Sequence, residues 1–217
     1  MELTFLGHAC VFLKGRRSVL IDPFIPEGEL PADPDIVAVT HGHADHLGET
    51  VRLNRPTVAI NEVAKYLQAK GVPAEGMNHG GAITIDDVIF RMTPAIHSSW
   101  IEEAGPGYSG GGSAGFVIVM DGRSVYHAGD TALFSDMRLI GELYHPDVAL
   151  LPIGGRFTMA PEEAMIAAQY IGAPLVIPIH YNTWPVIRQD PLPFKNVIER
   201  TTDITVAVLS PGETLYL

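Results

Sequence analysis

The stretch His41-Gly42-His43-Ala44-Asp45-His46 limits this chain more than any other part of it. Three imidazoles and a carboxylate fall within six residues, directly after an apolar run, Asp35-Ile-Val-Ala-Val-Thr40, that reads as a buried strand. Along an extended segment alternate side chains share a face, so His41 and His43 are placed to grip one ion together. Asp45 and His46, where the chain turns toward a helix, point to a second position. The fold must therefore deliver this strand end to a place where metal can be held. Imidazole and carboxylate suit zinc first, with manganese, iron or nickel as alternatives. Two such ions at ~3.5–4 Å can share a water and make it a nucleophile at neutral pH. A surface loop that merely happens to be rich in histidine lacks this ordered spacing.

Alternation and turn residues frame the cluster. Leu3–Leu6, Ala9–Leu13, Ser18–Ile21 and Ile36–Thr40 read as strands of a meander, with Lys14-Gly15-Arg16 as one turn. Helical spacing then appears over Leu47–Asn54 and over Glu62–Lys70, the latter closed by Gly71, with a short strand Thr57–Ile60 between them. Strands follow at Ile83–Ile85, Val88–Met92, Ala114–Met120, Ser124–His127, Val148–Pro152, Leu175–Ile179, Ile204–Leu209 and Thr214–Leu217. Helices are predicted near Ser135–Leu143, over Pro161–Ile171 and near Pro193–Arg200. Pro161 with Glu162 and Glu163 suits a helix first turn, since proline needs no donor there and the carboxylates complement the dipole. Strands precede helices in each half, which fits two sheets packed face to face with helices outside them.

Length and charge restrict the function further. The 217 residues are read as one domain, 1–217, because no linker, charge block or repeat divides them. Fourteen basic against 25 acidic residues give a net charge of −11, which disfavours a broad grip on nucleic acid or an anionic membrane and favours a small-molecule substrate. Cys10 is the one cysteine, so neither an internal disulfide nor a cysteine metal site is available. The chain has no run of 18 apolar residues, and its N-terminus lacks the pattern of a secretory signal, so a cytoplasmic protein is expected. A mean hydropathy of +0.18 points to a homo-oligomer.

Sandwiched sheets bring strand ends from both halves to one edge, and further metal-binding residues stand at the ends of later strands. His97 follows Ile89–Ile96, Asp130 lies in His127-Ala-Gly-Asp-Thr131, and His180 follows Val176–Ile179. With Asp22 in Leu20-Ile-Asp-Pro23, these ordered motifs resemble the metallo-β-lactamase superfamily over essentially the whole chain. The resemblance implies an α+β fold, a four-layer αββα sandwich of two mixed β-sheets. It also implies that His41, His43 and His97 hold one ion, that Asp45, His46 and His180 hold the other, and that Asp130 bridges them. Asp22 would orient a ligand rather than bind metal.

Leu6-Gly7-His8-Ala9, Pro152-Ile-Gly-Gly155, Phe157-Thr158-Met159 and Pro161-Glu162 are similar to small metal-dependent hydrolases related to the ascorbate-6-phosphate lactonase group. His43 stands where flavodiiron electron-transfer relatives carry a glutamate, which favours hydrolysis over redox chemistry. The chain also has no room for a β-CASP nuclease extension, and the long arm used to hold tRNA is missing. The expected activity is hydrolysis of an ester, lactone or amide by a hydroxide shared between two ions. Asp130 would hold the bridge, and Asp45 or a water would protonate the leaving group. The alternatives are a phosphodiesterase, a metal-binding protein without turnover, and an iron redox module.

The remaining candidates divide. His8, at the end of the first strand, either enters the pocket or makes a local hydrogen bond, and His127 either supports the ligands or lines the pocket. His79 and His145 sit in turn-like stretches and are expected at the surface. Trp100 and Trp184 closely follow His97 and His180 and are candidate pocket walls. The glycine-rich segment Ser98–Ser113, with Tyr108, is expected to be a lid over the substrate.

Overall fold

Apolar residues recur at every second position of the strands, and this alternation sorts the core into layers. The computed structural model describes residues 1–30 and 33–217. Its strands are β1 (Glu2–Gly7), β2 (Cys10–Lys14), β3 (Ser18–Ile21), β4 (Ile36–Val39), β5 (Thr57–Ile60), β6 (Ala74–Met77), β7 (Ala82–Ile85), β8 (Val88–Pro94), β9 (Trp100–Ile101), β10 (Tyr108–Ser109), β11 (Ala114–Met120), β12 (Arg123–His127), β13 (Val148–Pro152), β14 (Leu175–Ile179), β15 (Thr205–Val206) and β16 (Thr214–Tyr216). The helices are α1 (Ala44–Leu47), α2 (Thr50–Leu53), α3 (Asn61–Ala69), α4 (Met137–Tyr144), α5 (Pro161–Ile171) and α6 (Pro191–Thr201).

One sheet runs β16-β1-β2-β3-β4-β5-β6, the other β15-β14-β13-β12-β11-β8-β7, and both mix parallel with antiparallel pairs. On β11, Phe116 and Ile118 face the core between the sheets with Phe90 of β8 and Leu150 of β13. The intervening Val117 turns outward with Tyr126 of β12, onto Met137 and Ile140 of α4, Ala164 and Ala168 of α5 and Phe194 of α6. On the far side, Val63, Ala64 and Leu67 of α3 cover the first sheet. The layers are thus helix, sheet, sheet and helices, the αββα sandwich of an α+β protein. Helix starts follow their capping residues: Asp190 accepts from the Leu192 N–H at 3.0 Å with Pro191 in the first turn of α6, and Glu163 accepts from the Ala160 N–H at 2.9 Å at the head of α5.

Strand direction places the chemistry. β1 is antiparallel to β2 and β2 to β3, while β3 and β4 are parallel, so β1, β3 and β4 all point the same way. The same reasoning aligns β8, β12 and β14 in the second sheet. Their C-terminal ends carry His8, Asp22, His41, His97, Asp130 and His180.

Besides the short hairpin β9–β10 within Ser98–Ser113, three elements differ from the sequence reading. The helix expected over Leu47–Asn54 is two short ones, α1 and α2, because Gly48 breaks it at φ 43°, ψ −128°. A Cβ at Gly48 would lie 2.2 Å from the Pro23 carbonyl oxygen, the same oxygen that accepts from the Glu49 N–H at 2.9 Å. β6 is an additional strand, parallel to β5, that Ala-Glu-Gly-Met does not announce. Of Ile204–Leu209 only Thr205–Val206 pairs with β14. No helix among the described residues is long and apolar enough to cross a membrane.

Candidate metal centre

Three residues at the sheet edge adopt left-handed backbone conformations that non-glycine residues rarely take: His8 at φ 54°, Asp22 at φ 46° and His180 at φ 54°. The surrounding bonds hold them there. The His180 N–H donates to the His8 carbonyl at 2.7 Å, stitching the end of β14 to the end of β1, and the Asp22 N–H donates to Ala38 at 2.9 Å.

Asp22 is fully buried, and its carboxylate organises the base of the site. Oδ1 accepts from the Thr40 N–H at 2.8 Å, while Oδ2 accepts from the Thr40 hydroxyl at 2.8 Å and from His46 Nδ1 at 2.7 Å. Having given its proton to Asp22, the Thr40 hydroxyl accepts from His41 Nδ1 at 3.1 Å. One carboxylate and one hydroxyl therefore fix both imidazoles with Nδ1–H turned inward to the protein and Nε2 turned to the centre. A second layer of hydrogen bonds orients metal-binding histidines in this way.

The centre itself is a ring of facing donor atoms. His41 Nε2 stands 2.9 Å from His43 Nδ1, and ligand atoms of His41, His43 and His97 lie within 4.8 Å of one another. Ligand atoms of His8, Asp45, His46 and His180 meet the same limit. Asp130 sits between the two groups, with its carboxylate 3.3 Å from His46 Nε2, 3.6 Å from His97 Nε2 and 3.0 Å from His180 Nε2. Despite this crowding, His46 Nε2, Asp130 Oδ1 and both ring nitrogens of His180 are buried and find no hydrogen-bond partner among the described residues. The His180–Asp130 approach is close enough but badly directed. Buried polar atoms left unpaired at such density are costly, and a cation among them would satisfy them together.

The electrostatics agree. Burial opposes a charge on His46, but Asp130 and Asp22 outweigh it and raise its pKa well above that of free imidazole. His41 goes the other way: burial, then the charge on His46, push its pKa far down. The two carboxylates thus require positive charge at the centre, supplied by a proton on His46 unless a metal takes its place. Metal binding should accordingly release protons. This donor set of imidazole nitrogens and carboxylate oxygens fits the divalent cations expected from the sequence.

The other candidates occupy varied positions. His127 is buried, with Nδ1 accepting from the Gly129 N–H at 3.1 Å and Nε2 donating to the Ala9 carbonyl at 2.8 Å, so it braces the turn that presents Asp130. His8 lies against the centre, 3.1 Å from Asp45. Trp184 and Phe24 flank His8, their rings centred 4.9 and 5.6 Å from it. His79 Nε2 donates to the Ser113 carbonyl at 2.8 Å.

The glycine-rich segment contains the hairpin β9–β10 and is pinned at its base. Ser99 Oγ accepts from the Gly42 N–H at 3.1 Å, and a Cβ on Gly42 would lie 2.7 Å from the side chain of buried Ile101. The glycine between His41 and His43 is therefore where the hairpin docks. Its tip reaches α3, where Tyr108 packs against Tyr66 with ring centres 6.0 Å apart, on the α3 side of the hairpin; Trp100 is half exposed on the same hairpin. In the sequence Thr40 stands as the end of an apolar run, and a lone hydroxyl between a buried strand and His41 is the signal that marks it. Nothing local in the sequence marks Ser99 or Thr183.

A pH dependence follows for protein freed of metal. Burial lowers the pKa of His41, His97 and His127 and takes His8 down to about 4, so the unfolded chain binds more protons than the folded one as pH falls from about 6.5 toward 4. His46, being raised, keeps its contribution throughout that window, and Asp45 and Asp130, being lowered, lose theirs only at more acid pH. Chelator-treated protein should melt at a lower temperature at about pH 4.5 than at about pH 6.5; scanning fluorimetry showing the reverse would count against this electrostatic picture.

Comparison with known proteins agrees with the geometry. Residues 11–181 match the beta-lactamase superfamily domain. A UPF0173 metal-dependent hydrolase of Methanoculleus marisnigri is 71% identical over 215 residues, covering 99% of this chain and 96% of that protein. One from Methanospirillum hungatei is 63% identical, covering 98% and 97%. Among solved structures, Igni18, a metallo hydrolase from the archaeon Ignicoccus hospitalis, superposes with a TM-score of 0.89 at 39% identity over 99% of this chain and 97% of that one. The chain accordingly belongs to the metallo-β-lactamase superfamily, within its group of UPF0173 metal-dependent hydrolases.

Proposed function

We propose that this metal-dependent hydrolase works with two divalent ions, zinc first among them, on an ester, lactone or amide bond of a small molecule. The observation that carries the reading is the set of unpaired buried atoms on His46, Asp130 and His180, lying where the two donor groups meet. His41, His43 and His97 would hold one ion, Asp45, His46 and His180 the other, and Asp130 would serve both. When bound, the ions supply Lewis acidity toward the scissile group and lower the pKa of water.

The protein's own part is positioning and proton handling. Asp45 is the partly exposed carboxylate of the centre, its side chain 26% accessible against 3% for Asp130. Burial would raise its pKa, but the hydrogen bond from His8 and the charge of His46 hold it well below the usual carboxylate range. Asp45 therefore starts as a carboxylate, and its exposure rather than its basicity fits it to pass a proton from water to the leaving group. Asp130, buried, keeps its place between the two donor groups.

Phe24 and Trp184, with ring centres 6.1 Å apart, give the apolar part of a small substrate a surface beside Asp45. The loop bearing Trp184 is braced by bonds from Asn182 to Ile187 at 3.0 Å and from Gln189 to the Asn182 side chain at 2.9 Å. The net charge of −11 supports an uncharged or compact substrate over a polyanion. We place the activity in the cytoplasm, where the free thiol of Cys10 needs no partner.

The test is a panel of lactones, esters, thioesters, amides and phosphodiesters run on protein of known metal content. Turnover confined to carbonyl substrates is expected. Turnover of phosphodiesters alone would move the assignment to the phosphodiesterases, and iron absorption bands without hydrolysis would move it to redox chemistry.

A further inference from the structure

His8 lies against the centre without belonging to either proposed ligand set. Its side chain is inaccessible to solvent. Nε2 lies 3.1 Å from Asp45 Oδ2, and Nδ1 lies 2.9 Å from the hydroxyl of Thr183. Because the Asp45 carboxylate only accepts, Nε2 carries the hydrogen and donates, which leaves Nδ1 of the neutral ring to accept from Thr183. The His8 carbonyl accepts from the His180 N–H at 2.7 Å, and the two rings sit 4.1 Å apart. A left-handed histidine is unfavourable backbone, and this one is kept where it reaches Asp45 with its ring and His180 with its main chain.

We propose that His8 is the positioning residue of the Asp45/His46/His180 half of the centre: it fixes the Asp45 carboxylate and the His180 backbone so that this half, and not the His41/His43/His97 half, depends on it for metal affinity. The assignment rests on the two-ion reading above. Asp45 is the most exposed member of its group, on a four-residue helix whose N-terminus has no side-chain cap, and the one charged neighbour on that helix, His46, comes no nearer than 4.0 Å, against 3.1 Å for His8. Without a donor on Nε2 the carboxylate is free to rotate toward solvent, and the ordering cost falls on metal binding. The bond to Thr183 ties the same histidine to the loop carrying Trp184, so the apolar wall and the second ion site move as one unit.

The experiment measures metal equivalents and affinities by elemental analysis and competition with a zinc-binding dye, for wild type and for His8→Phe, His8→Asn and His8→Gln, with circular dichroism reporting the fold. Phenylalanine keeps the ring and loses both polar atoms. Asparagine offers an amide near Nδ1 that reaches Thr183 alone, and glutamine carries its amide donor out to the level of Nε2. His8→Phe and His8→Asn should weaken one of two equivalents by ~10–100-fold and leave the other at wild-type affinity, with His8→Gln restoring most of the loss. Thr183→Val, which spares the Asp45 contact and lies partly exposed, should weaken the same equivalent by a smaller factor if the ring variants fail to fold.

The inference is overturned if folded His8→Phe keeps both equivalents at wild-type affinity, if both weaken equally, or if glutamine is no better than phenylalanine. Should wild type bind fewer than two ions, the two-ion reading fails instead, which separates the two results.

Discussion

Replacing Asp130 with alanine is expected to strip metal from both halves of the centre while leaving the sandwich folded. Its carboxylate is within 3.6 Å of His46, His97 and His180, which come from both proposed ligand sets, and no other carboxylate among the described residues is placed between them. Loss of a supporting residue typically costs ~10–100-fold in metal affinity, so loss of this shared one should cost more than ~100-fold at each position. His97→Ala provides the contrast, because the histidines its nitrogen groups with are His41 and His43 and its loss should empty chiefly that position. Hydrolysis should fall to background in Asp130→Ala. Elemental analysis of dialysed variants decides the matter: two ions retained in Asp130→Ala would remove the residue from its assigned place.

Asp22→Asn should produce the second largest effect by a different route. The carboxylate accepts three hydrogen bonds, from the Thr40 N–H, the Thr40 hydroxyl and His46 Nδ1. An amide oxygen can still accept from the Thr40 N–H, but its NH2 then faces the two remaining donors. His46 is driven to carry its hydrogen on Nε2, where a ligand needs a lone pair, and the Thr40 hydroxyl is free to turn toward His41. Metal affinity should drop ~10–100-fold, and the metal-free protein should lose ~1–3 kcal/mol for a buried donor left unpaired. Dye competition and denaturant melts measure the two effects separately. Wild-type metal affinity in this variant would reduce Asp22 to a turn residue beside Pro23.

Much of the fold was legible because burial imposes a period. Phe116, Val117 and Ile118 alternate between two cores, and the apolar stretch before His41 reads as a buried strand whatever surrounds it. β6 was not legible, since Ala74-Glu-Gly-Met77 has little strand preference and pairs only because β5 offers it an edge. Nor was the break at Gly48, which answers to Pro23, a residue distant in sequence.

The centre divides along the same line. His41, His43, Asp45 and His46 announce themselves by spacing, and His97, Asp130 and His180 by standing at strand ends. Thr40, Ser99 and Thr183 act through partners that only tertiary structure brings near. The glycine-rich segment Ser98–Ser113 reads from its composition as a lid over the substrate; what composition does not carry is that Gly110 lets the hairpin come close to Gly42 and that Tyr108 packs on Tyr66 of α3.

In the proposed function two ions occupy the space where buried nitrogen and oxygen atoms of His46, Asp130 and His180 lack partners among the described residues. Elemental analysis of well-folded wild-type protein, purified without chelator and dialysed against metal-free buffer, tests it most directly. About two divalent ions per chain are expected. A folded protein holding only traces of metal, and taking up none when zinc or manganese is added back, would contradict the account.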